Sequence, residues 1–324
     1  MQSAGLPLRL EERQPPLLSG SGRGGKEPSM SEEQFGHFRI IERLGEGGMG
    51  IVFKAVNVRD GTTVALKILQ PQSLLDEEVK HRFLREANAG SRLMHPNIVR
   101  IYEVGEVDGK HYISMEFIEG RNLQQVLKDG PMAPGRVVEI GIEVGEALRE
   151  AHQKGVIHRD IKSLNIMLSP SGAVKVMDFG LAKIQNASML TREGDMLGTV
   201  TYMSPEQASG ESVDFRTDIF SLGVVLYELL TGKLPFGDQY DMAVVYAILN
   251  VEPAGIRDSC PGVPEALEAI VLKAMRKDLQ HRYQNVEELL GDLRRMKAFL
   301  DGKRDQMPSA AELVAGVGVE GIPS

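Results

Sequence analysis

The stretch His158–Asn165 reads HRDIKSLN, and the chain continues to VMDFG at residues 176–180. An aspartate, a lysine and an asparagine stand close together there, with a second aspartate, Asp178, downstream. Alone, such an octet is an ordinary charged loop, so its flanks decide its meaning. Upstream, RVVEIGIEVGEALREAHQKG has helical character and closes on Gly155, a glycine placed just past the last turn. Downstream, NIMLSPSGAVKVMD reads as a short hairpin with Asn165 and Asp178 at its two ends. Two oxygen donors so placed suit Mg²⁺ held together with phosphate oxygens. Asp160 can accept a proton from an attacking hydroxyl, and Lys162 can neutralise charge on a phosphoryl group.

Further upstream, LGEGGMGIV spaces Gly45, Gly47 and Gly50 as G-x-G-x-x-G ahead of Val52. Glycines let backbone amides approach phosphate oxygens. A flexible hairpin turn would read the same. A dinucleotide fold wants these glycines between a strand and a helix, whereas here they lie between two strands. VALK then sets Lys67 on a strand, as either a solvated lysine or a cation aimed at phosphate. Glu86, on the next helical segment, can pair with it or decorate a surface.

The organisation is two-part. FRIIERLGE, GIVFKAVNV and TTVALKIL are short and β-rich, with a hairpin signal at Asp60-Gly61. DEEVKHRFLREANAGSRL has helical character, with Val79, Phe83, Ala87 and Gly90 on one face. VRIYEVGE and HYISMEF follow, joined at Asp108-Gly109. Five strands and one helix are therefore expected before Gly120, and helices after it. DIFSLGVVLYELLTG is apolar nearly all round and reads as a buried helix. PEALEAIVLKAMRK and NVEELLGDLRRMKAFL read as amphipathic helices. Residues 1–34, rich in Gly, Pro and Ser, read as disordered; translation can start at Met1 or Met30. The tail 301–324 reads as flexible.

The 324 residues are 42% hydrophobic and 25% charged, with a net charge of -8. That balance is globular and disfavours binding nucleic acid through its phosphates. One cysteine, Cys260, rules out an intrachain disulfide and fits a reducing compartment. No apolar run is long enough to span a membrane. The expectation is a soluble cytoplasmic protein with no nucleic-acid or membrane partner.

In this order and spacing, the glycine loop, V-A-x-K, H-R-D-x-x-x-x-N, D-F-G and x-P-E together resemble the signature set of the protein kinases. The resemblance runs from about Phe38 to Leu300 and is to the bacterial branch of the eukaryotic-type Ser/Thr kinases. It implies an α+β bilobal kinase fold. It implies a kinase domain at 35–300, with a small five-stranded lobe at about 38–117 and a larger helical lobe at about 118–300. It implies transfer of the ATP γ-phosphate to Ser/Thr hydroxyls of protein substrates, with Mg²⁺ or Mn²⁺.

By the same resemblance, Gly45, Glu46, Gly47, Gly48, Met49, Gly50 and Val52 cover the ATP phosphates, and Leu44 also binds ATP. Lys67 binds the α/β-phosphates and pairs with Glu86, Asp160 is the base, and Asn165 and Asp178 hold the metal. Met115 is the gatekeeper, and Glu116, Phe117 and Ile118 offer backbone hydrogen bonds to adenine. Val52, Ala65 and Met167 sandwich the ring. Lys162 marks the Ser/Thr class, and Thr199 braces Asp160 and Lys162. Glu206 pairs with Arg282, and Asp218 bonds the backbone of the catalytic loop. Arg159 reads a phosphate on the activation loop, with autophosphorylation expected at Thr191, then Ser188, through a transient homodimer. Asp195 supplies part of the same charge.

Three departures stand out. Ser163 replaces the usual proline, which implies a less stiff loop. Ser204 replaces alanine. Gly90 replaces a large apolar residue, which removes packing and implies a mobile helix. The rival readings are a pseudokinase scaffold and, less favoured, a small-molecule phosphotransferase of the same fold.

Overall fold

The computed structural model describes residues 34–47, 50–69, 84–85, 87–179, 200–237 and 241–303. An antiparallel sheet forms the first lobe. Its strands are β1 (Gln34–Phe35), β2 (Phe38–Gly47), β3 (Gly50–Asn57), β4 (Thr63–Leu69), β5 (Ile101–Val107) and β6 (Lys110–Glu116), in the order β1-β2-β3-β4-β6-β5. The expected five strands gain a sixth, β1. It turns back on β2 at Gly36, which sits at φ 58, and pairs Phe35 with Phe38. A two-residue strand carries no readable period, and Gln34 lies within the segment read as disordered. The Asp108-Gly109 hairpin has both central residues at positive φ, 49 and 74, as a tight two-residue turn requires.

Alternation along β4 decides which side chains meet the second lobe. Val64 and Leu66 pack outward with Phe38, Ala55 and Tyr112. Ala65 and Leu69 point the other way, with Ala87, Val99, Ile113 and Met115. Lys67 shares the parity of Ala65 and Leu69, so the period of two puts its ammonium on the cleft face. The helix between β4 and β5 is described at 84–85 and 87–90. Ala87 and Gly90 are buried, as their shared face implied. Val79, Phe83 and Glu86 lie outside the described residues.

The second lobe opens with β7 (Arg121–Asn122) and α1 (Leu123–Val126), then α2 (Pro134–Gln153). β8 (Ile166–Leu168) and β9 (Val174–Val176) form a hairpin that pairs with β7. α3 (Pro205–Ala208), α4 (Arg216–Thr231), α5 (Asp241–Asn250), α6 (Ile256–Ser259), α7 (Glu265–Ala274) and α8 (Val286–Leu300) complete it. α4 is the core helix. From Thr217 to Thr231 every residue except Glu228 is buried, as its all-round apolar character required. α5 was not anticipated from the sequence.

The lobes are sutured at the loop before β5. Asn97 donates to Val174 O at 2.9 Å and to Glu143 Oε2 at 3.0 Å. Val176 N–H donates to Asn97 O, and Val99 N–H to Val176 O. Of the tail read as flexible, residues 304–324 lie outside the described residues.

Candidate active site

Lys67 reaches across the join. In the sheet it stands opposite Val52 on one side and Ile113 on the other. Its Nζ donates to Asp178 Oδ1 at 3.1 Å, a contact not foreseen in the sequence. Burial alone would raise the Asp178 pKa. The charge and hydrogen bond of Lys67, with His158 and Lys162 nearby, outweigh it and hold the carboxyl below its ordinary value. Glu86, the expected partner of Lys67, lies outside the described residues.

The loop at 158–165 folds around Asp160. Lys162 Nζ lies 2.9 Å from Asp160 Oδ2. Asn165 Nδ2 donates to the same Oδ2 and to Asp160 O, both at 2.9 Å. Lys162 and Asn165 are buried, so the triad is set rather than waving in solvent. Both protons of the Asn165 amide are thus spent on Asp160, which leaves its Oδ1 as an acceptor. Met177 N–H donates to Asn165 O, tying the loop to the residue before Asp178.

Two side chains that the sequence reading passed over hold this loop. His158 is fully buried, and its Nδ1 accepts the Asp160 N–H at 3.2 Å. Its Nε2 therefore carries the proton and donates to Met177 O at 2.7 Å. Its ring meets that of Phe179 edge-on at 4.5 Å. His152, in the last turn of α2, pairs with Asp218 Oδ2 at 2.8 Å. Asp218 also accepts the N–H groups of His158 at 2.9 Å and Arg159 at 2.8 Å, as its predicted backbone role required. Burial pushes its pKa up, but these donors outweigh that and leave it depressed. Arg159 and Asp178 both sit at positive φ, 66 and 59, which non-glycine residues seldom adopt. Local strain gathers where the charged groups converge.

The glycine-rich turn joins β2 to β3, with Gly45 opposite Val52 and Gly47 opposite Gly50. At Gly50 a Cβ would fall 2.2 Å from Ile68 O, so only glycine fits against β4. At Gly45 a Cβ would meet nothing. Leu44 is exposed, and Glu46 pairs with Arg43. Gly48 and Met49 lie outside the described residues. Val52, Ala65, Met115, Phe117, Ile118 and Met177 share one apolar cluster. Met167 lies on β8 of the other lobe, half-buried. Glu116 turns its carboxylate to Lys175 at 2.8 Å, a link between the strand end and β9 that spans 59 residues of sequence.

The Glu206–Arg282 pair forms as expected, buried and bidentate at 2.8 and 3.1 Å. Ser204, in alanine's place, caps α3 through a capping box with Gln207. At Gly90 the packing expected to be lost is filled from the other side. A Cβ there would lie 3.0 Å from Phe179 O and 3.3 Å from Ile101 Cδ1. Thr191, Ser188, Asp195 and Thr199 lie outside the described residues. Among the described residues Arg159 Nε is buried without a hydrogen-bond partner, no cluster of three His, Cys, Asp or Glu side chains could hold a metal, and no helix is long and apolar enough to cross a membrane.

A curled sheet set over a helical lobe, with a cross-lobe lysine–aspartate pair and an Asp-Lys-Asn loop at the join, defines the bilobal kinase class of fold. Comparison with known proteins agrees. The protein kinase domain model matches residues 38–291. A probable serine/threonine-protein kinase of Clostridium perfringens is 40% identical over 263 residues, 80% of this chain and 38% of that protein. Serine/threonine-protein kinase PknB of Mycobacterium leprae is 39% identical over 296 residues, 88% of this chain and 48% of that protein. Serine/threonine-protein kinase PrkC of Bacillus subtilis is 39% identical over 260 residues, 80% of this chain and 40% of that protein. The solved PknI kinase domain of Mycobacterium tuberculosis superposes with a TM-score of 0.66 at 26% identity, covering 83% of this chain and 99% of that one. The chain belongs to the protein kinase domain family, in its bacterial Ser/Thr branch. It spans less than half the length of the curated relatives cited here.

Proposed function

We propose that this chain is a protein serine/threonine kinase that transfers the γ-phosphoryl of ATP to Ser/Thr hydroxyls. The observation that carries this reading is the Asp160 carboxylate held between Lys162 Nζ and Asn165 Nδ2, each at 2.9 Å. A carboxylate fixed in that way is a base for an incoming hydroxyl, and Lys162 beside it meets the charge of the group in transfer. The Lys67 ammonium, on the cleft face of β4, positions the phosphates, with Glu86 as its second partner. Every residue a pseudokinase scaffold typically lacks is present.

The donor set fits a divalent cation. Asp178 is held ionised and the Asn165 Oδ1 is left open, and hard oxygen donors of this kind suit Mg²⁺. Held by Asp178 and Asn165, such an ion would offset the charge of the phosphates. The apolar cluster of Val52, Ala65, Met115 and Ile118 forms one wall for adenine, and Met167 the other. The backbone of Glu116 and Ile118 supplies its hydrogen bonds. Gly45 to Val52 cover the phosphates, and Leu44 also binds ATP.

The buried Arg159 Nε supports a regulatory reading. A phosphate on the 180–199 segment would give this guanidinium an anionic partner. Thr191 is the first such acceptor and Ser188 the second, modified in a transient homodimer. Asp195 gives basal activity, and Thr199 braces Asp160 and Lys162. The protein acts in the cytoplasm on protein substrates, with neither nucleic acid nor membrane as partner.

The test is incubation of purified protein with MgATP and a generic protein substrate, followed by mass spectrometry of every product. Phosphoserine and phosphothreonine on protein support the reading. Nucleotide binding without turnover favours the scaffold.

A further inference from the structure

Ser163 occupies the position where the catalytic loop of this family carries proline. The side chain is not idle. Ser163 is fully buried and its Oγ donates to Glu228 Oε2. Tyr202 OH donates to the same oxygen at 2.7 Å. Glu228 is the single half-exposed residue in the buried run of α4, rooted one turn before the helix ends at Gly232. Its carboxylate thus gathers two hydroxyls from two other segments, the catalytic loop and the turn Val200–Tyr202.

The place of Ser163 in the loop gives this bond its leverage. A single 3₁₀ turn spans Ser163–Asn165, closed by Asn165 N–H donating to Lys162 O at 2.9 Å. That turn sets the spacing between Lys162 and Asn165, the two groups that grip Asp160. Proline would fix φ by its ring. Serine leaves φ free, and a charge-assisted bond to a rigid helix supplies the constraint instead. Tyr202 is itself anchored, since its carbonyl accepts Ser221 Oγ of α4 at 2.8 Å.

We infer that Ser163 is a positioning residue for phosphoryl transfer, acting through Glu228 to hold Lys162 and Asn165 around Asp160 and to couple the catalytic loop to the Val200–Tyr202 turn. The inference rests on the kinase reading above. It also revises the expectation that serine here makes the loop less stiff.

The experiment compares wild type, Ser163→Ala, Glu228→Gln and the double variant in steady-state phosphotransfer, with amide hydrogen exchange of the same proteins in parallel. Ser163→Ala should lower kcat by about tenfold and leave KM for MgATP within about twofold, because orientation and not nucleotide binding is lost. Glu228→Gln should act similarly, and the double variant should be no slower than the slower single, since the two act as one unit. Exchange should rise together at 160–165 and 200–202 in each variant. Unchanged kcat in Ser163→Ala, fully multiplicative effects, or a matching rise in KM overturns the inference. If wild type itself shows no transfer, the kinase reading fails and the exchange data alone decide. Shared loosening of the two segments then upholds the tether, and unchanged protection overturns it.

Discussion

Replacing Arg282 with alanine removes a cation that makes five side-chain hydrogen bonds in the helical lobe. The guanidinium is fully buried and grips Glu206 in two bonds of 2.8 and 3.1 Å. It also donates to the main-chain oxygens of Arg276, Arg216 and Lys277, and it lies 5.0 Å from the Phe220 ring centre. Removing one partner of a buried ion pair costs about 3–5 kcal/mol, because the other charge is left uncompensated. Orphaned carbonyls add about 1 kcal/mol each where water cannot follow. Arg282→Ala should therefore lose about 4–8 kcal/mol in urea unfolding, the upper end where all three carbonyls stay dry, against roughly 5–15 kcal/mol for a whole domain. Much of that loss belongs to the stranded Glu206 carboxylate. Combining Arg282→Met with Glu206→Gln should recover at least about 2 kcal/mol relative to Arg282→Ala alone. Arg282→Lys should fall between, since an ammonium cannot repeat the two-pronged geometry. A loss under about 1 kcal/mol for Arg282→Ala, or a double variant with simply additive losses, would refute this reasoning.

Asp218→Asn should cost about 2 kcal/mol at pH 7, read by urea unfolding across pH. The Asp218 pKa is depressed from 3.8 in the folded protein, so its contribution is complete above that value and fades as pH falls through the lower folded one. The gap between wild type and variant should thus shrink as pH falls below about 4. Gly50→Ala should destabilise by about 1–3 kcal/mol and weaken ATP binding, since its Cβ would strike Ile68 O. Gly45→Ala, whose Cβ meets nothing, should stay within about 0.5 kcal/mol of wild type. Calorimetry with ATP titration checks both.

What could be read ahead of the structure was local or motif-borne. The hairpin turns at Asp60-Gly61 and Asp108-Gly109 announced themselves by turn chemistry between alternating strands. The core helix announced itself by apolar residues on every side. Glu206–Arg282 and the bonds from Asp218 to the loop were legible only because motif order assigned them; no periodicity links residues so far apart. Contacts outside the motifs stayed hidden for that reason. Ser163 meets Glu228 across 65 residues, and His152 meets Asp218 across 66. Gly90 shows a different limit. Sequence marked an absent side chain, but the space it leaves depends on how close the Phe179 backbone comes. β1 was missed because two residues cannot display a period.

The most direct test of the account is single-turnover transfer of the ATP γ-phosphoryl to a protein serine or threonine by wild type and by Asp160→Asn, with both shown by circular dichroism to be folded. The account predicts labelled phosphoserine or phosphothreonine with wild type and a rate lower by about 10²–10⁴-fold in the variant, which loses the base but little of the fold. Transfer at the wild-type rate by Asp160→Asn, or none by wild type with saturating MgATP, would contradict it.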